Sequence, residues 1–191
     1  MKLLKDILYG VHLTAVSGTT SCDIVSVRFD SREVQKGDAF VAIKGTLTDG
    51  HNYIDAVVAA GARAIVCEQL PTNIVDGVTY VEVENGNQAL ALMASNYYDT
   101  PSKNLKLVGV TGTNGKTTVS SLLYQLFKKA GYKVGLLSTI KIMVDDTEYK
   151  TKHTTPDALT INKHLKLMND AGVEFCFMEV SSHGIHQKRT E

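Results

Sequence analysis

One glycine-rich turn constrains this chain more than any other stretch of its sequence. Residues 107–111 are a run of apolar and β-branched residues typical of a buried strand, and Gly115-Lys116-Thr117 follows closely. An amphipathic segment begins at the same point, so the predicted order is strand, loop and helix. In that arrangement the backbone N–H groups, the positive end of the helix dipole and a lysine face the same anion. The sequence therefore predicts a phosphate-binding loop, with Thr117 placed to bring its hydroxyl to Mg²⁺.

The spacing of this loop departs from the general Walker pattern. That pattern has a glycine five residues before the glycine of Gly-Lys-Thr, and here that position is Val110. The loop is therefore a shortened variant, from Gly112 to Thr118. Apolar residues follow it at helical spacing and predict one buried helix face; these residues are Val119, Leu122, Leu123, Leu126, Phe127 and Ala130. The alternative is an ordinary glycine-rich turn with an exposed lysine.

The composition argues against several classes of protein. Lys+Arg 20 balances Asp+Glu 20, which does not favour nucleic-acid binding through a broad basic face. No apolar run approaches the roughly 18 to 20 residues of a membrane span, and residues 1–6 lack the apolar core of a secretory signal. The 3 cysteines are scattered and support neither a disulfide framework nor a zinc site. We therefore expect a cytoplasmic protein without a membrane or nucleic-acid partner.

Alternating strand and helix patterns predict an α/β fold in two domains. Residues 1–100 are expected to form a small α/β domain, with a loop at residues 14–22 and a helix at residues 87–98. Asp99-Thr100-Pro101-Ser102 breaks the pattern and marks the boundary. From residue 101 to residue 191, the order strand, helix, strand, helix, strand describes the first part of a mostly parallel, doubly wound sheet around the phosphate loop.

Polar residues gather where the predicted strands of the second domain end. Glu179 interrupts an otherwise apolar strand at residues 174–180, and a buried carboxylate is costly unless it is paired or bound to a metal. We interpret it as a second Mg²⁺ ligand opposite Thr117, because carboxylate oxygens suit Mg²⁺ and phosphate charge must be offset. A carboxylate that faces solvent or pairs with a lysine is the alternative. The loops at residues 153–157 and 181–184 are expected at the same edge of the sheet, where ligands bind.

Two further signals are weaker. His183 and His186 are three apart, but no third ligand is near, and Gly184 argues against a regular helix that presents both, so a transition-metal site is disfavoured. Asp30-Ser31-Arg32, taken alone, is better explained as an Asx turn at a strand end with a surface arginine than as a functional triplet.

Taken together, these stretches resemble the Mur ligases, the ATP-dependent amide-forming enzymes of peptidoglycan precursor synthesis, and within them the MurE type. The shortened loop from Gly112 to Thr118 is that family's form of the motif. The other matching stretches are Asp30-Ser31-Arg32, Lys36-Gly37-Asp38-Ala39-Phe40-Val41-Ala42, Gly45 with Asp49-Gly50, Thr154-Thr155-Pro156, and Met178-Glu179-Val180-Ser181-Ser182-His183-Gly184. The resemblance implies ATP and Mg²⁺ as cofactors. It also implies UDP-N-acetylmuramoyl-dipeptide and an amino acid, either diaminopimelate or lysine, as substrates.

The resemblance implies a role for each matching residue. ATP would bind Gly112, Thr113, Asn114, Gly115, Lys116, Thr117 and Thr118, with Lys116 as the catalytic residue on the phosphates. Mg²⁺ would be held by Thr117 and Glu179. The uridine diphosphate end of the nucleotide sugar would be held by Phe29, Ser31, Thr46, Leu47 and Thr48. The muramoyl-dipeptide would be held by Thr154, Thr155, Ser181, Gln187 and Arg189.

The length of the chain gives one more expectation. Ligases of this family continue well past the Ser-Ser-His-Gly stretch, so we expect a monomeric fragment that does not catalyse ligation alone. Two other classes stay open. One is a module at residues 1–100 that binds the UDP-muramoyl-peptide without catalysis. The other is a different amide ligase with the same loop, such as a sister Mur ligase or a folylpolyglutamate synthetase, although the loops at residues 30–32 and 36–38 argue against the folate enzymes.

Overall fold

The computed structural model describes residues 1–45, 48–149 and 156–190. It divides into two compact units, Met1–Tyr97 and Tyr98–Glu191. The site residues predicted at Thr46, Leu47, Thr154 and Thr155 lie outside the described residues. In the part of the chain that is described, no helix is long and apolar enough to cross a membrane.

The first unit is built on a five-stranded sheet accompanied by a two-stranded ribbon. The strands are β1 (Lys2–Leu3), β2 (Leu13–Ser17), β3 (Asp23–Ile24), β4 (Val27–Arg28), β5 (Ala39–Val41), β6 (Ala64–Cys67) and β7 (Thr79–Val83). The helices are α1 (Leu4–Ile7), α2 (Ile54–Ala59) and α3 (Gly86–Tyr97), with 3-10 turns at Ser31–Glu33 and Gly50–Tyr53. The sheet order is β2-β7-β6-β5-β4, parallel from β4 to β7, with β2 antiparallel at one edge, and β1 pairs with β3 to form the ribbon.

The central strands of this sheet are covered on both faces. Every residue of β5 and of β6 is buried, as expected for parallel strands between helices. Phe40, Ile65 and Tyr80 form a core cluster with Val57 of α2, and α3 contacts β4, β5 and β6. This packing fixes the ends of β4 and β5, from which the polar loops of the unit leave.

The prediction of a loop at residues 14–22 is wrong at its start, because strand β2 extends to Ser17. The helix predicted at residues 87–98 is confirmed as α3. β2 pairs antiparallel with β7, with a register shift between Leu13 and Ala15. Serine and threonine are tolerated there because an edge strand exposes one face to solvent and accommodates a bulge. Composition alone therefore misidentified a strand whose formation depends on a distant partner.

The second unit is built on another five-stranded sheet. Its strands are β8 (Lys106–Val110), β9 (Val134–Leu137), β10 (Ile142–Val144), β11 (Thr147–Tyr149) and β12 (Phe175–Glu179). Its helices are α4 (Lys116–Lys129), α5 (Ala158–Asp170) and α6 (Ser182–His186), with a 3-10 turn at Pro101–Asn104. The order is β11-β10-β9-β12-β8, in which β8, β12 and β9 are parallel and the hairpin β10-β11 is antiparallel.

Helices α4 and α5 cover opposite faces of this second sheet. Leu136 of β9 packs with Tyr124 of α4, whereas the next residue, Leu137, packs with Leu165 of α5. Successive side chains of a strand point to opposite faces, so adjacent residues feed two separate cores. This arrangement confirms the predicted α/β fold with a mostly parallel, doubly wound sheet.

Helix α4 buries only part of the predicted stripe, in which Leu123 and Phe127 pack against the core. Val119, Leu122 and Leu126 are 45%, 58% and 61% exposed, whereas Ser120 and Tyr124 are buried. The helix packs mainly on β12 and β9, and β8 is the edge strand of the described sheet. Among the described residues no strand lies beyond β8 to cover the exposed side of α4, and β8 itself is largely exposed rather than buried.

Candidate active site

The phosphate loop connects β8 to α4. Gly112 has a φ of +147° and Gly115 a φ of +81°, conformations that glycine adopts at little cost and that turn the backbone sharply at both ends of the loop. Lys116 is the first residue of α4, and its Nζ donates hydrogen bonds to the carbonyl oxygens of Gly112, at 2.5 Å, and Thr113, at 3.4 Å. The lysine is therefore folded over the loop, beside the N-terminus of the helix, where both would attract an anion.

The Glu179 carboxylate accepts hydrogen bonds from two other parts of the second unit. Glu179 is the last residue of β12, lies opposite Val110 in the sheet and is only 7% exposed. One carboxylate oxygen accepts a hydrogen bond from the Thr117 hydroxyl at 2.9 Å, and the other accepts from the Thr139 backbone N–H at 3.2 Å. The alternative of a solvent-facing carboxylate is therefore wrong. Thr139 is not among the predicted site residues, although its position two residues after β9, at the carboxyl edge of the sheet, is the kind of signal that identified the other loops.

Thr117 and Glu179 fit a magnesium ion that also binds phosphate. Magnesium takes oxygen ligands and is usually held by one or two carboxylates together with substrate phosphates. A buried carboxylate beside a hydroxyl, both next to a phosphate loop, supplies this set of donors. The assignment of these two residues to Mg²⁺ stays a prediction.

The charge of Glu179 can be tested separately from its packing. We expect Glu179→Gln to weaken Mg²⁺-dependent binding of an ATP analogue by about tenfold, because the amide keeps the shape of the side chain but loses its negative charge. Titration calorimetry with Mg²⁺ and with EDTA checks this. The variant and the unsubstituted chain should differ with Mg²⁺ and agree in EDTA, and equal affinities with Mg²⁺ would contradict the metal assignment.

The segment after β12 carries three further predicted site residues. Ser181 is the N-cap of α6, and its hydroxyl accepts a hydrogen bond from the Gly184 N–H at 3.0 Å. The Arg189 guanidinium donates to the Gln187 side-chain oxygen at 2.5 Å. Ser181, Gln187 and Arg189 therefore follow Glu179 within one short segment, and their role toward a substrate stays a prediction.

The argument against a helix at His183 and His186 is wrong. Both residues lie in α6, which includes Gly184, and both are exposed. Among the described residues, no group of three or more His, Cys, Asp or Glu side chains is arranged to hold a metal ion.

Phe29 and Ser31 lie half-buried just after β4, in the first unit. Asp30, between them, caps the 3-10 turn and accepts hydrogen bonds from the Arg32 backbone N–H at 3.0 Å and from Arg32 Nε at 2.9 Å. This geometry confirms the Asx turn with a surface arginine. It leaves the Ser31 hydroxyl at the start of the turn, and the roles of Ser31 and Phe29 in binding stay predictions.

Asp38 explains the Lys36-Gly37-Asp38 stretch in structural terms. This carboxylate is 1% exposed and accepts hydrogen bonds from the Gln35 N–H at 3.1 Å and from Arg28 Nε at 3.3 Å. A buried carboxylate needs such partners. The contact with Arg28 secures the end of β4 directly before Phe29, a positioning role that the sequence did not indicate.

The turn at Asp30 gives a prediction about stability and pH. The pKa of Asp30 is lowered to about 2, chiefly by the hydrogen bond from the Arg32 side chain. A lowered folded-state pKa contributes stability that is present above the unfolded pKa, near 4, and is lost as the pH falls through about 2. Because Arg32 is 86% exposed, solvent screening limits this contribution to at most about 1 kcal/mol.

We therefore expect Asp30→Asn to lower the free energy of unfolding at neutral pH and to have a shrinking effect in acid. Urea unfolding of both proteins between about pH 6 and pH 2 measures the difference. A difference that stays constant across this range would show that the carboxylate charge is not its source.

Comparison with known proteins places these features in a family. Residues 23–98 match the model described as "Mur ligase family, catalytic domain", and residues 110–191 match "Mur ligase middle domain". The chain belongs to the Mur ligase family, with an N-terminal domain and part of a middle domain.

Its similarity to individual members of this family is high. The chain is 51% identical over 187 residues to the UDP-N-acetylmuramoyl-L-alanyl-D-glutamate–2,6-diaminopimelate ligase of Cytophaga hutchinsonii, and this match covers 97% of the chain and 38% of that protein. The Bacteroides fragilis protein of the same name is 50% identical, with the same coverage. The chain therefore spans well under half the length of these relatives.

Solved structures of the family share the fold. A structure of a UDP-N-acetylmuramoyl-L-alanyl-D-glutamate–2,6-diaminopimelate ligase aligns with a TM-score of 0.78 at 26% identity, covering 98% of this chain and 37% of that one. The MurF ligase of Thermotoga maritima, solved in complex with ADP, aligns with a TM-score of 0.53 at 30% identity, covering 82% of this chain and 32% of that one.

Proposed function

We propose that this chain provides the nucleotide-sugar-binding and ATP-binding parts of a ligase that adds diaminopimelate to UDP-N-acetylmuramoyl-L-alanyl-D-glutamate. The observation that carries the proposal is the hydrogen bond between the Thr117 hydroxyl and the Glu179 carboxylate beside the phosphate loop. The chain is also 51% identical to a relative whose name states that activity. The choice of diaminopimelate over lysine rests on the names of the relatives alone. We further propose that the protein acts in the cytoplasm as a monomer.

The chemistry of such a ligase explains why a phosphate loop is needed. A carboxylate is a poor electrophile, so its oxygen first attacks the γ-phosphorus of ATP, the bond to the β-phosphate oxygen breaks, and ADP leaves. The amine then attacks the carbonyl carbon of the acyl phosphate, loses a proton, and phosphate departs with the C–O bond electrons. Both steps bring anions together, so positioning and charge neutralisation supply most of the catalysis.

Residues of the second unit have separate roles in this reaction. Lys116, placed over the loop by its contact with the Gly112 carbonyl, neutralises charge on the transferred phosphoryl group. The Thr117 hydroxyl and the Glu179 carboxylate would hold Mg²⁺, which would offset the phosphate charge. The Arg189 guanidinium, in the segment that follows Glu179, is suited to the carboxylate of the muramoyl-dipeptide. Gln187 contacts it, and Ser181, Thr154 and Thr155 are further predicted partners of this substrate.

The residues of the first unit hold the other end of the substrate. Phe29 offers an aromatic ring and Ser31 a hydroxyl just after β4, a combination suited to a uracil ring and a diphosphate. Thr48, which is exposed, adds a hydroxyl from the loop after β5. Thr46 and Leu47 complete the predicted set. A module that binds the nucleotide sugar without catalysis uses the same residues, so binding alone does not separate it from the ligase.

Binding of the nucleotide sugar tests this proposal. We expect UDP-N-acetylmuramoyl-L-alanyl-D-glutamate to bind the chain in titration calorimetry, and Ser31→Ala to weaken binding by about fivefold to tenfold through loss of one hydrogen bond. Ser26→Ala is the matched control, since Ser26 is a half-buried serine of the same region outside the predicted site. Absence of binding by the unsubstituted chain, or equal weakening by both substitutions, would contradict the assignment.

A further inference from the structure

The side chain of His51 connects two segments of the first unit. Its Nδ1 lies 2.6 Å from a carboxylate oxygen of Asp49, and its Nε2 accepts a hydrogen bond from the Glu68 backbone N–H at 2.9 Å. The imidazole is only 16% exposed. Glu68 directly follows β6, so the ring spans from the 3-10 turn at Gly50–Tyr53 to the end of a central strand.

These contacts determine which ring nitrogen carries the proton. A backbone N–H can only donate, so Nε2 must be the unprotonated acceptor. In the neutral ring the proton is then on Nδ1, which donates to the Asp49 carboxylate. Asp49 also accepts from the His51 backbone N–H at 3.0 Å, and this bond is the chief reason why the pKa of Asp49 is lowered. The ring therefore accepts from the Glu68 N–H and donates to the Asp49 carboxylate at the same time.

Asp49 closes the loop that carries Thr48. It forms a β-bridge with Lys44, the Gly45 N–H donates to the Thr48 carbonyl at 2.9 Å, and the Gly50 N–H donates to the Ile43 carbonyl at 2.9 Å. Both ends of the loop are thus fixed by backbone contacts. The carboxylate of Asp49, at the closing position, is oriented by two donors of His51, the backbone N–H and the ring Nδ1–H, which meet the same oxygen.

The side chain of Glu68 has two contacts in the first unit. One oxygen of its side chain accepts a hydrogen bond from the Gly86 N–H at 2.9 Å, at the start of α3. The other lies 3.7 Å from Lys44 Nζ. The backbone and the side chain of Glu68 therefore connect Lys44 and His51 with the end of β6 and the start of α3.

We propose that His51 is a positioning residue for the nucleotide sugar, which holds the Thr48 loop through Asp49 on one side and the Glu68 N–H on the other. This inference rests on the proposed function, because it assigns the loop to substrate binding. His51 acts through its neighbours and need not touch the substrate itself.

Three substitutions separate the two contacts of the ring. Asparagine places an amide near the position of Nδ1 but does not reach the Glu68 N–H, whereas glutamine places an oxygen near the position of Nε2 and keeps that bond. We expect His51→Ala and His51→Asn to weaken binding of UDP-N-acetylmuramoyl-L-alanyl-D-glutamate by about tenfold, and His51→Gln to stay within about threefold. Binding of an ATP analogue should be unchanged in all three variants.

A destabilised control distinguishes positioning from a loss of stability. Ile7→Ala removes most of a buried side chain of α1, next to Asn96 near the C-terminal end of α3, and should lower the Tm without weakening binding of the nucleotide sugar. If His51→Asn binds as tightly as the unsubstituted chain, or if Ile7→Ala weakens binding as much as His51→Asn, the positioning role is overturned. If the unsubstituted chain does not bind the nucleotide sugar, the proposed function itself fails, and the positioning role fails with it.

A ligand-free measurement reports on the loop directly. Amide hydrogen exchange of the peptide that covers residues 43–50 should be faster in His51→Asn than in His51→Gln, because only the first loses the tie to Glu68. Equal exchange in the two variants would contradict the proposal even where substrate affinities differ.

Discussion

Replacing Lys116 with alanine is expected to lower the affinity of the chain for a magnesium–ATP analogue by about 100-fold. The lysine is the first residue of α4 and its ammonium already lies over the phosphate loop, 2.5 Å from the Gly112 carbonyl oxygen. A charge-assisted hydrogen bond to phosphate is among the strongest single contacts that a side chain can supply, and a 100-fold loss corresponds to about 2.7 kcal/mol. The thermal stability of the chain should change little, because the carbonyls that the lysine contacts lie in an exposed loop.

Lys129→Ala is the matched control for this substitution. Lys129 is the last residue of the same helix and is exposed, so its removal changes the net charge equally but leaves the loop intact. Titration calorimetry of both variants measures the effect. Equal affinities for Lys116→Ala and the unsubstituted chain would show that this loop does not hold the phosphates.

Replacing Gly50 with alanine is expected to destabilise the first unit by about 3 kcal/mol, the upper range for overpacking of a well-packed site. A Cβ at this position would lie 2.9 Å from both the nitrogen and the oxygen of Ile43 and 3.3 Å from the Ala42 Cα. All three atoms belong to the backbone that leaves β5, so the methyl group can be accommodated only by moving the chain. The Gly50 N–H bond to the Ile43 carbonyl, which helps close the Thr48 loop, would be lost with that movement.

Gly135→Ala provides an informative comparison. A Cβ on Gly135 would meet the sulfur and methyl group of Met168 even more closely, but these atoms end a flexible side chain that can adopt another rotamer. We expect it to cost about 1 to 2 kcal/mol, less than Gly50→Ala. Urea unfolding followed by circular dichroism gives both values, and a cost for Gly50→Ala below that of Gly135→Ala would contradict the backbone explanation.

Sequence patterns predicted the elements that depend on local periodicity. The helix α3 and the alternation of β8, α4, β9, α5 and β12 follow from short-range patterns of apolar residues. β2 could not be found in this way. Its pairing with β7 joins residues more than sixty positions apart, and no local signal distinguishes a polar edge strand from a loop.

The exposed side of α4 shows a second limit of the sequence. Apolar spacing correctly identified the helix, and Leu123 and Phe127 do pack against the core beside Tyr124. The same spacing wrongly included Leu122 and Leu126, which are exposed. Which part of a wide apolar stripe is buried depends on which strands lie beneath the helix, and the sequence of a helix does not specify its neighbours.

For the candidate site, sequence chemistry indicated the groups but not all the contacts among them. A carboxylate in an apolar strand identified Glu179, and the loop motif identified Thr117. The Thr139 N–H, a backbone group, and the His51 ring, whose role depends on the distant Glu68, have no signature in the sequence. Backbone donors and contacts between residues distant in the sequence can be identified only from the folded structure.

Simultaneous binding of the two ligands tests the central claim most directly. A non-hydrolysable ATP analogue with Mg²⁺ is titrated into the chain already saturated with UDP-N-acetylmuramoyl-L-alanyl-D-glutamate. The proposal predicts one analogue bound per chain, without displacement of the nucleotide sugar, and loss of that binding in Lys116→Ala. Displacement of the nucleotide sugar by the analogue, or no binding of the analogue at all, would contradict a chain that holds the nucleotide sugar and ATP of an amide ligase at the same time.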